Sequence, residues 1–255
     1  MPLFESRTGK NVLVFGGTGS IGKAVCALMV AEGANLAFTC RSNRAGAAAL
    51  AEELARDGQT IIWDAVANED RVAVADLTAL VAEQMGGIDA VIYAAGPDID
   101  LTFMSRADPD AWCRAIDMDV NGCFHIIQAV IPALRRSQGS FTAVLTAAIE
   151  RPPALDGLSS APKAAIQAMI KTIAQEEGRF GLRANCVAPG FVDGGLGRKL
   201  LDTLGEKGTA AILAQTDLKR LGKPEEIADA VGFLSSARAS FITGETIFVS
   251  GGLRA

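Results

Sequence analysis

Glycines at regular intervals are the first residues in this chain whose type and spacing suit chemistry. Gly16, Gly19 and Gly22 follow the apolar run Val12 to Phe15, and from Ile21 onward apolar residues recur at helical spacing as Ile21, Val25, Leu28 and Met29. A strand, a glycine turn and a helix start in that order suit a dinucleotide pyrophosphate. Glycines let the backbone turn tightly and approach the ligand, and the first turn of a helix offers free N–H groups and a partial positive charge. On spacing alone an ordinary tight turn would look the same, so the elements around it must decide.

Those elements alternate along the whole chain. Strands are expected at 12–15, 35–40, 60–63, 90–93, 141–145, 183–188 and 246–249. Helices are expected at 21–32, 45–56, 68–85, 110–134, 159–177 and 224–234, with Gly33 stopping the first, Asn68 capping the third and Pro224 in the first turn of the last. The stretches 98–109 and 150–158 read as loops, and 190–221 holds many glycines and a weak helical pattern. Strands and helices in strict alternation predict an α/β fold: a doubly wound parallel sheet of about seven strands with helices on both faces. Residues 1–255 are expected to form a single domain, because no linker, repeat or low-complexity stretch divides them.

Composition narrows the function. Hydrophobic residues make up 49% of the chain, enough for a large core and too many for disorder. A net charge of −5 gives no basic footprint, so no nucleic-acid partner is expected. The five cysteines form no CxxC pair and there is one histidine, His125, so no zinc-type cluster and no metal is expected; reduced thiols in a cytoplasmic protein are. The N-terminal Met-Pro-Leu-Phe-Glu-Ser-Arg lacks the pattern of a signal peptide, and no apolar run reaches the ~18 residues of a membrane span.

Further motifs carry a resemblance. Asn185-Cys-Val-Ala-Pro-Gly190, Gly222-Lys-Pro-Glu-Glu-Ile-Ala-Asp229 and Ile242-Thr-Gly-Glu245 with Val249-Ser-Gly-Gly252 join the glycine turn in the right order and at the right intervals. Over nearly its full length the chain resembles the classical short-chain dehydrogenase/reductase family, especially its ketoacyl-carrier-protein-reductase-like members. The resemblance implies catalytic positions at Lys163, Ser159, Thr146 and Asp119, of which only Lys163 keeps the family residue. The family's Tyr-x-x-x-Lys becomes Ser159-x-x-x-Lys163, its serine thirteen residues earlier falls on Thr146, and its asparagine falls on Asp119. In the family the tyrosine phenol exchanges a proton with the substrate oxygen while the lysine holds the nicotinamide ribose and lowers the phenol's pKa. A serine hydroxyl is a far weaker acid and reaches less far. Two readings are open for Asp119: an ion pair with Lys163, or, with Glu150 or Asp156 as alternatives, a substitute proton source. Tyr93, the one tyrosine, is expected near the adenosine and is a poor substitute acid.

The resemblance also implies a cofactor lining of Gly16, Thr18, Ser20, Ile21 and Gly22, of Arg41, Ser42 and Arg44, of Ala94 and Gly96, of Lys163, and of Pro189, Gly190 and Val192. Phe15 and Ser20 depart from the family's glycine-turn pattern, and Gly194 stands where relatives often carry threonine. Ser20 suits either a phosphate or a helix cap. At the end of the second strand an acid would accept the ribose hydroxyls of NAD(H), but Cys40-Arg41-Ser42-Asn43-Arg44 has none. Arg41 and Arg44 suit forked hydrogen bonds to a 2′-phosphate, so NADP(H) is expected over NAD(H).

The function implied is an NADP(H)-dependent oxidoreductase acting on a carbonyl or hydroxyl group of a small molecule, with a non-standard proton path. The alternatives are an NADP(H)-binding pseudoenzyme serving as sensor or partner subunit, and a reductase of an activated C=C bond, which nothing positive in the sequence selects. The resemblance further implies a homotetramer or homodimer, with apolar surface at Val120, Phe124, Ile127 and Ile131 and at Ala164, Ala168 and Ile170. Phe103 and Met104 are placed beside the substrate mouth.

Overall fold

A short apolar run has no polar face to show to water, and Asn11–Phe15 accordingly forms a fully buried strand, β1, at the centre of the sheet. The computed structural model of the chain describes residues 6–253, so the N-terminal Met1 to Glu5 lie outside the described residues. After β1 come α1 (Ser20–Ala31), β2 (Asn35–Cys40), α2 (Arg44–Leu54), β3 (Ile61–Ala65), α3 (Arg71–Met85) and β4 (Ala90–Tyr93). Then follow α4 (Pro109–Ala115), α5 (Gly122–Ser137), β5 (Ser140–Val144), α6 (Gly157–Glu177), β6 (Arg183–Pro189), α7 (Gly195–Gln215), α8 (Pro224–Leu234) and β7 (Thr246–Val249).

All seven strands are parallel, in the order β3-β2-β1-β4-β5-β6-β7. Parallel neighbours need crossovers, and the helices that make them cover both faces. On one face Val14, Phe38, Met29 and Val231 pack beneath α1, α2 and α8. On the other, Phe15, Val91, Tyr93, Ile126 and Ile166 pack beneath α3, α5 and α6. The strand order reverses between β1 and β4, which opens a crevice at their carboxyl ends.

Four local differences from the expected elements have physical causes. The cap of α3 is Asp70, whose carboxylate accepts from the Val72 and Ala73 amides, whereas Asn68 packs against Gly122. The helix expected at 110–134 is interrupted by a π-helical turn over Ile116–Asn121, which holds Asp119. Helix α6 begins at Gly157, two residues before Ser159. Helix α7 is two helices joined at Gly205, where φ is 66° and the i to i+4 pattern breaks. No helix among the described residues is long and apolar enough to cross a membrane.

Candidate active site

The carboxyl edge of the sheet gathers nearly every residue singled out from the sequence. The glycine turn leaves β1, Arg41 to Arg44 leave β2, Ala94 to Gly96 leave β4, Thr146 leaves β5 and Pro189 to Val192 leave β6, while α6 carries Ser159 and Lys163.

The glycine turn is shaped by close approach. Gly16 has a φ of 88°, and a Cβ there would lie 2.9 Å from the Ala94 carbonyl oxygen and the Ala95 backbone. A Cβ on Gly22 would meet the Gly16 carbonyl oxygen at 2.1 Å. The turn is tied down by hydrogen bonds from the Gly17 amide to the Thr39 carbonyl, 2.8 Å, and from the Gly19 amide to the Gly16 carbonyl, 3.1 Å. Gly19 is the N-cap of α1, no side chain caps the helix, and no acidic residue stands in its first turn. Its first amides therefore have no side-chain cap, beside an exposed Gly19. This cradle fits the pyrophosphate of a dinucleotide. Ser20 is the first residue of the helix and not its cap; it lies against the segment after β6, where a Cβ on Gly194 would be 2.9 Å from Ser20 Cβ and one on Gly195 2.8 Å from Ser20 Oγ. Pro189, Gly190 and Val192 lead into that segment, and the Val192–Gly222 bridge holds it.

At the other end of the crevice lies a buried cluster. Lys163 Nζ donates to Asp119 Oδ1 at 3.0 Å and to the Ala95 carbonyl at 2.9 Å, leaving one ammonium hydrogen. The Lys163 and Asp119 side chains are 10% and 1% exposed, so this is an ion pair removed from water. The π-helical turn is what aims Asp119 inward from a helix whose neighbouring Asp117 is exposed. Of the two sequence readings for Asp119, the geometry is that of the ion pair. Gly96 abuts the lysine: a Cβ there would sit 3.5 Å from Nζ.

Tyr93 corrects an expectation. Its ring does not lie toward the adenosine side but faces this cluster, with its hydroxyl donating to Asp119 Oδ1 at 2.5 Å and the Lys163 ammonium 5.1 Å from its ring centroid. The alternation of β4 carries the signal: Val91 and Tyr93 share the face beneath α5 and α6. Burial first, and then the Asp119 carboxylate, hold the Tyr93 phenol well above its ordinary value. It is fully buried.

Thr146 and Ser159 are both half-buried. Thr146 Oγ1 accepts from the Ala148 amide at 3.2 Å and caps a short 3₁₀ turn, which leaves its hydroxyl hydrogen to donate. Ser159 stands one turn before Lys163 on α6, and its own amide donates to the Asp156 carbonyl at 3.0 Å. Asp156, at the N-cap position of α6, is half-buried, and burial pushes its carboxyl up to about 6. Glu150 is exposed.

The arginines after β2 have acidic neighbours that sequence reasoning did not supply. Arg41 is forked onto Glu69, with one N–H···O distance of 2.9 Å, and Arg44 reaches Asp64 at 3.4 Å. Both acids come from β3 and the loop after it, brought alongside by the β2–β3 pairing. Ser42 is exposed beside them. Phe103 and Met104 are about half exposed, and Met104 lies on Gly157 at the start of α6. His125 is a helix residue whose ring nitrogen lies 3.3 Å from the Asn68 carbonyl. Among the described residues no group of His, Cys, Asp and Glu is arranged to hold a metal ion.

Residues 16–254 match the model of a protein family described as Enoyl-(Acyl carrier protein) reductase. The chain is 32% identical over 249 residues to the 3-oxoacyl-(acyl-carrier-protein) reductase FabG of Staphylococcus epidermidis, covering 96% of this chain and 98% of that one. It is also 32% identical over 250 residues to the peroxisomal 2,4-dienoyl-CoA reductase SPS19 of Saccharomyces cerevisiae, described as (3E)-enoyl-CoA-producing, covering 96% and 84%. A short-chain dehydrogenase/reductase structure from Brucella melitensis superposes with a TM-score of 0.90 at 31% identity, covering 99% of each chain. With its sheet order, its glycine turn and these full-length likenesses together, the chain belongs to the short-chain dehydrogenase/reductase family and is an oxidoreductase.

Proposed function

We propose that this protein is a nicotinamide-dependent reductase of a C=C bond conjugated to a carbonyl, with an acyl thioester as the substrate class. The observation that carries this reading is Ser159 standing one helical turn before Lys163 while the one phenol of the chain, Tyr93, is buried against Asp119. Reducing a ketone builds an alkoxide, which needs a positioned acid at that oxygen; losing such an acid costs about 10²–10⁴-fold. Adding a hydride to the β-carbon of an enoyl thioester instead spreads the charge onto the thioester oxygen. Two neutral hydroxyls, Thr146 and Ser159, suit that oxygen as hydrogen-bond donors. The description of the matched family and the name of the yeast relative support the same chemistry.

Bound nicotinamide would supply the hydride. The cradle of Gly16, Thr18, Ser20, Ile21 and Gly22 would hold its pyrophosphate, Ala94, Gly96, Pro189, Gly190 and Val192 would line it, and Lys163 would hold the ribose through its remaining N–H. Arg41, Ser42 and Arg44 support NADP(H) over NAD(H), although both arginines must share their charge with Glu69 and Asp64. The chain is proposed to act as one domain, in the cytoplasm, and as a homodimer or homotetramer. Phe124, Ala164 and Ala168 are exposed and available for such contacts, whereas Ile127 and Ile170 are core residues.

Reduction of a ketoacyl thioester is the second reading, favoured by the likeness to FabG. Purified protein supplied with NADPH or NADH is to be offered 2-enoyl-, 2,4-dienoyl- and 3-ketoacyl-CoA, with cofactor oxidation followed by absorbance and products by mass spectrometry. Enoyl or dienoyl reduction exceeding ketone reduction at least tenfold is the expected result. Ketone reduction alone would establish the second reading.

A further inference from the structure

The cluster around Lys163 leaves the reaction without a proton. The sequence offers three carboxylates as substitute proton sources, Asp119, Glu150 and Asp156. Asp119 has one oxygen held by both Lys163 and Tyr93 and is 1% exposed, so it is committed to the lysine. Glu150 is exposed at the surface. Asp156 differs from both.

Asp156 occupies the N-cap position of α6, where an aspartate ordinarily accepts from the amides of the first turn. Asp70 and Asp108 do so at the same position of α3 and α4, each accepting from two amides. The Asp156 carboxylate makes no such bond. Leu155 just before it has a φ of 76°, a left-handed conformation that strains a residue with a Cβ. The Leu155 carbonyl is fixed by the Thr102 amide at 3.1 Å, and Met104 covers Gly157 on the other side. The loop is thus built to hold a half-buried carboxyl away from the helix amides that would satisfy it.

We propose that Asp156 is the proton donor to the substrate, a role that rests on the reductase reading given above. Residues 156, 159 and 163 recur at spacings of three and four, so they lie along one side of α6, with Asp156 at the outer end. A thioester whose oxygen lies at Thr146 and Ser159 extends toward it. Once a hydride has been added to the β-carbon, the former C=C pair becomes an enolate. The Asp156 O–H bond then breaks, a C–H bond forms at the α-carbon, and the carboxylate regains a proton from water at the mouth. A carboxyl titrating near neutral pH is suited to that work. Burial alone raises it to about 6. The charged groups that precede it, Glu150 and Arg151, Arg106 on the turn that carries Met104, and Lys163 on its own helix are not among the causes of that rise.

The test compares the wild type with Asp156→Asn and Asp156→Glu across pH 5–9, on the enoyl or dienoyl thioester that the wild type reduces. Cofactor affinity is measured by fluorescence titration, and the Asp156 carboxyl is titrated by NMR in the free protein. A 10²–10⁴-fold loss of kcat in Asp156→Asn is expected. KM and cofactor affinity should stay within twofold, and the fall of wild-type kcat above pH 6 should disappear. Asp156→Glu should recover at least a tenth of the activity and restore the pH limb. Asp156→Asn with kcat within threefold of wild type, or with the pH limb intact, would overturn the role. A carboxyl titrating near 4 in the free protein would also overturn it. A wild type that binds NADPH yet reduces no enoyl or dienoyl thioester, whether or not it reduces a ketone, would overturn the C=C reductase reading and this role together, whereas enoyl reduction that survives in Asp156→Asn would overturn this role alone.

Discussion

The Tyr93 hydroxyl and the Lys163 ammonium meet on a single oxygen, Asp119 Oδ1, at 2.5 and 3.0 Å. One carboxylate therefore fixes Lys163, and one phenol fixes the carboxylate. Asp119→Ala removes the partner of a buried ammonium and should lower stability by about 3–5 kcal/mol, read by urea unfolding. Tyr93→Phe leaves the ion pair but strips a charge-assisted hydrogen bond, a loss of about 1.5–3 kcal/mol. Because the folded protein holds the Tyr93 phenol above its ordinary value of 10.0, wild-type stability should decline as pH rises beyond 10, and Tyr93→Phe should weaken that decline.

Asp156 should show its strain in the absence of any substrate. Its folded value of about 6 lies above the ordinary 3.8, so the stability linked to its proton is present below pH 4 and is lost as pH rises through 6. Asp156→Asn should accordingly unfold at higher urea than wild type at pH 7.5 and at the same urea at pH 4. Since the group is only half-buried, the gain is about 1 kcal/mol.

Arg41 and Glu69 compete for one guanidinium fork. Arg41→Ala should weaken NADPH binding about tenfold more than NADH binding, whereas Glu69→Gln frees the fork and should strengthen NADPH binding severalfold. Parallel fluorescence titrations read both, and equal changes for the two cofactors would count against a 2′-phosphate site.

Ser159→Tyr restores a phenol one turn from Lys163. Ketoacyl thioester reduction should rise at least tenfold while enoyl reduction does not rise, measured on the two substrates side by side. No gain in a variant that still binds NADPH would mean that the surrounding crevice no longer fits a ketone.

Arg7 closes the fold behind the site. It pairs with Glu32 at the end of α1 and donates to the Gly232 and Ser235 carbonyls near the end of α8, with only 5% of its surface exposed. Arg7→Ala leaves Glu32 largely buried without its partner, so a loss of about 3–5 kcal/mol is expected by urea unfolding, with cofactor affinity unchanged in the folded fraction.

The sequence by itself determined the order of strands and helices, because each buried strand is a run of apolar residues and each helix carries its period in its own residues. β2, β4, β7 and α8 fall on the expected residues for that reason. It also determined the glycine turn, where Gly16 and Gly22 leave room for no side chain. The tertiary structure alone decided which charges meet. It chose between the two readings of Asp119 by packing it on Lys163, 44 residues away, and it set Arg41 on Glu69, 28 residues away, a pair for which the sequence held no sign. The same holds for Asp156: its sequence neighbours suit an ordinary helix cap, and only the loop laid over α6 makes its carboxyl a half-buried group near neutral pH. Secondary structure is written in local periods, whereas ionisation depends on burial and on distant charges, which a chain acquires only when it folds.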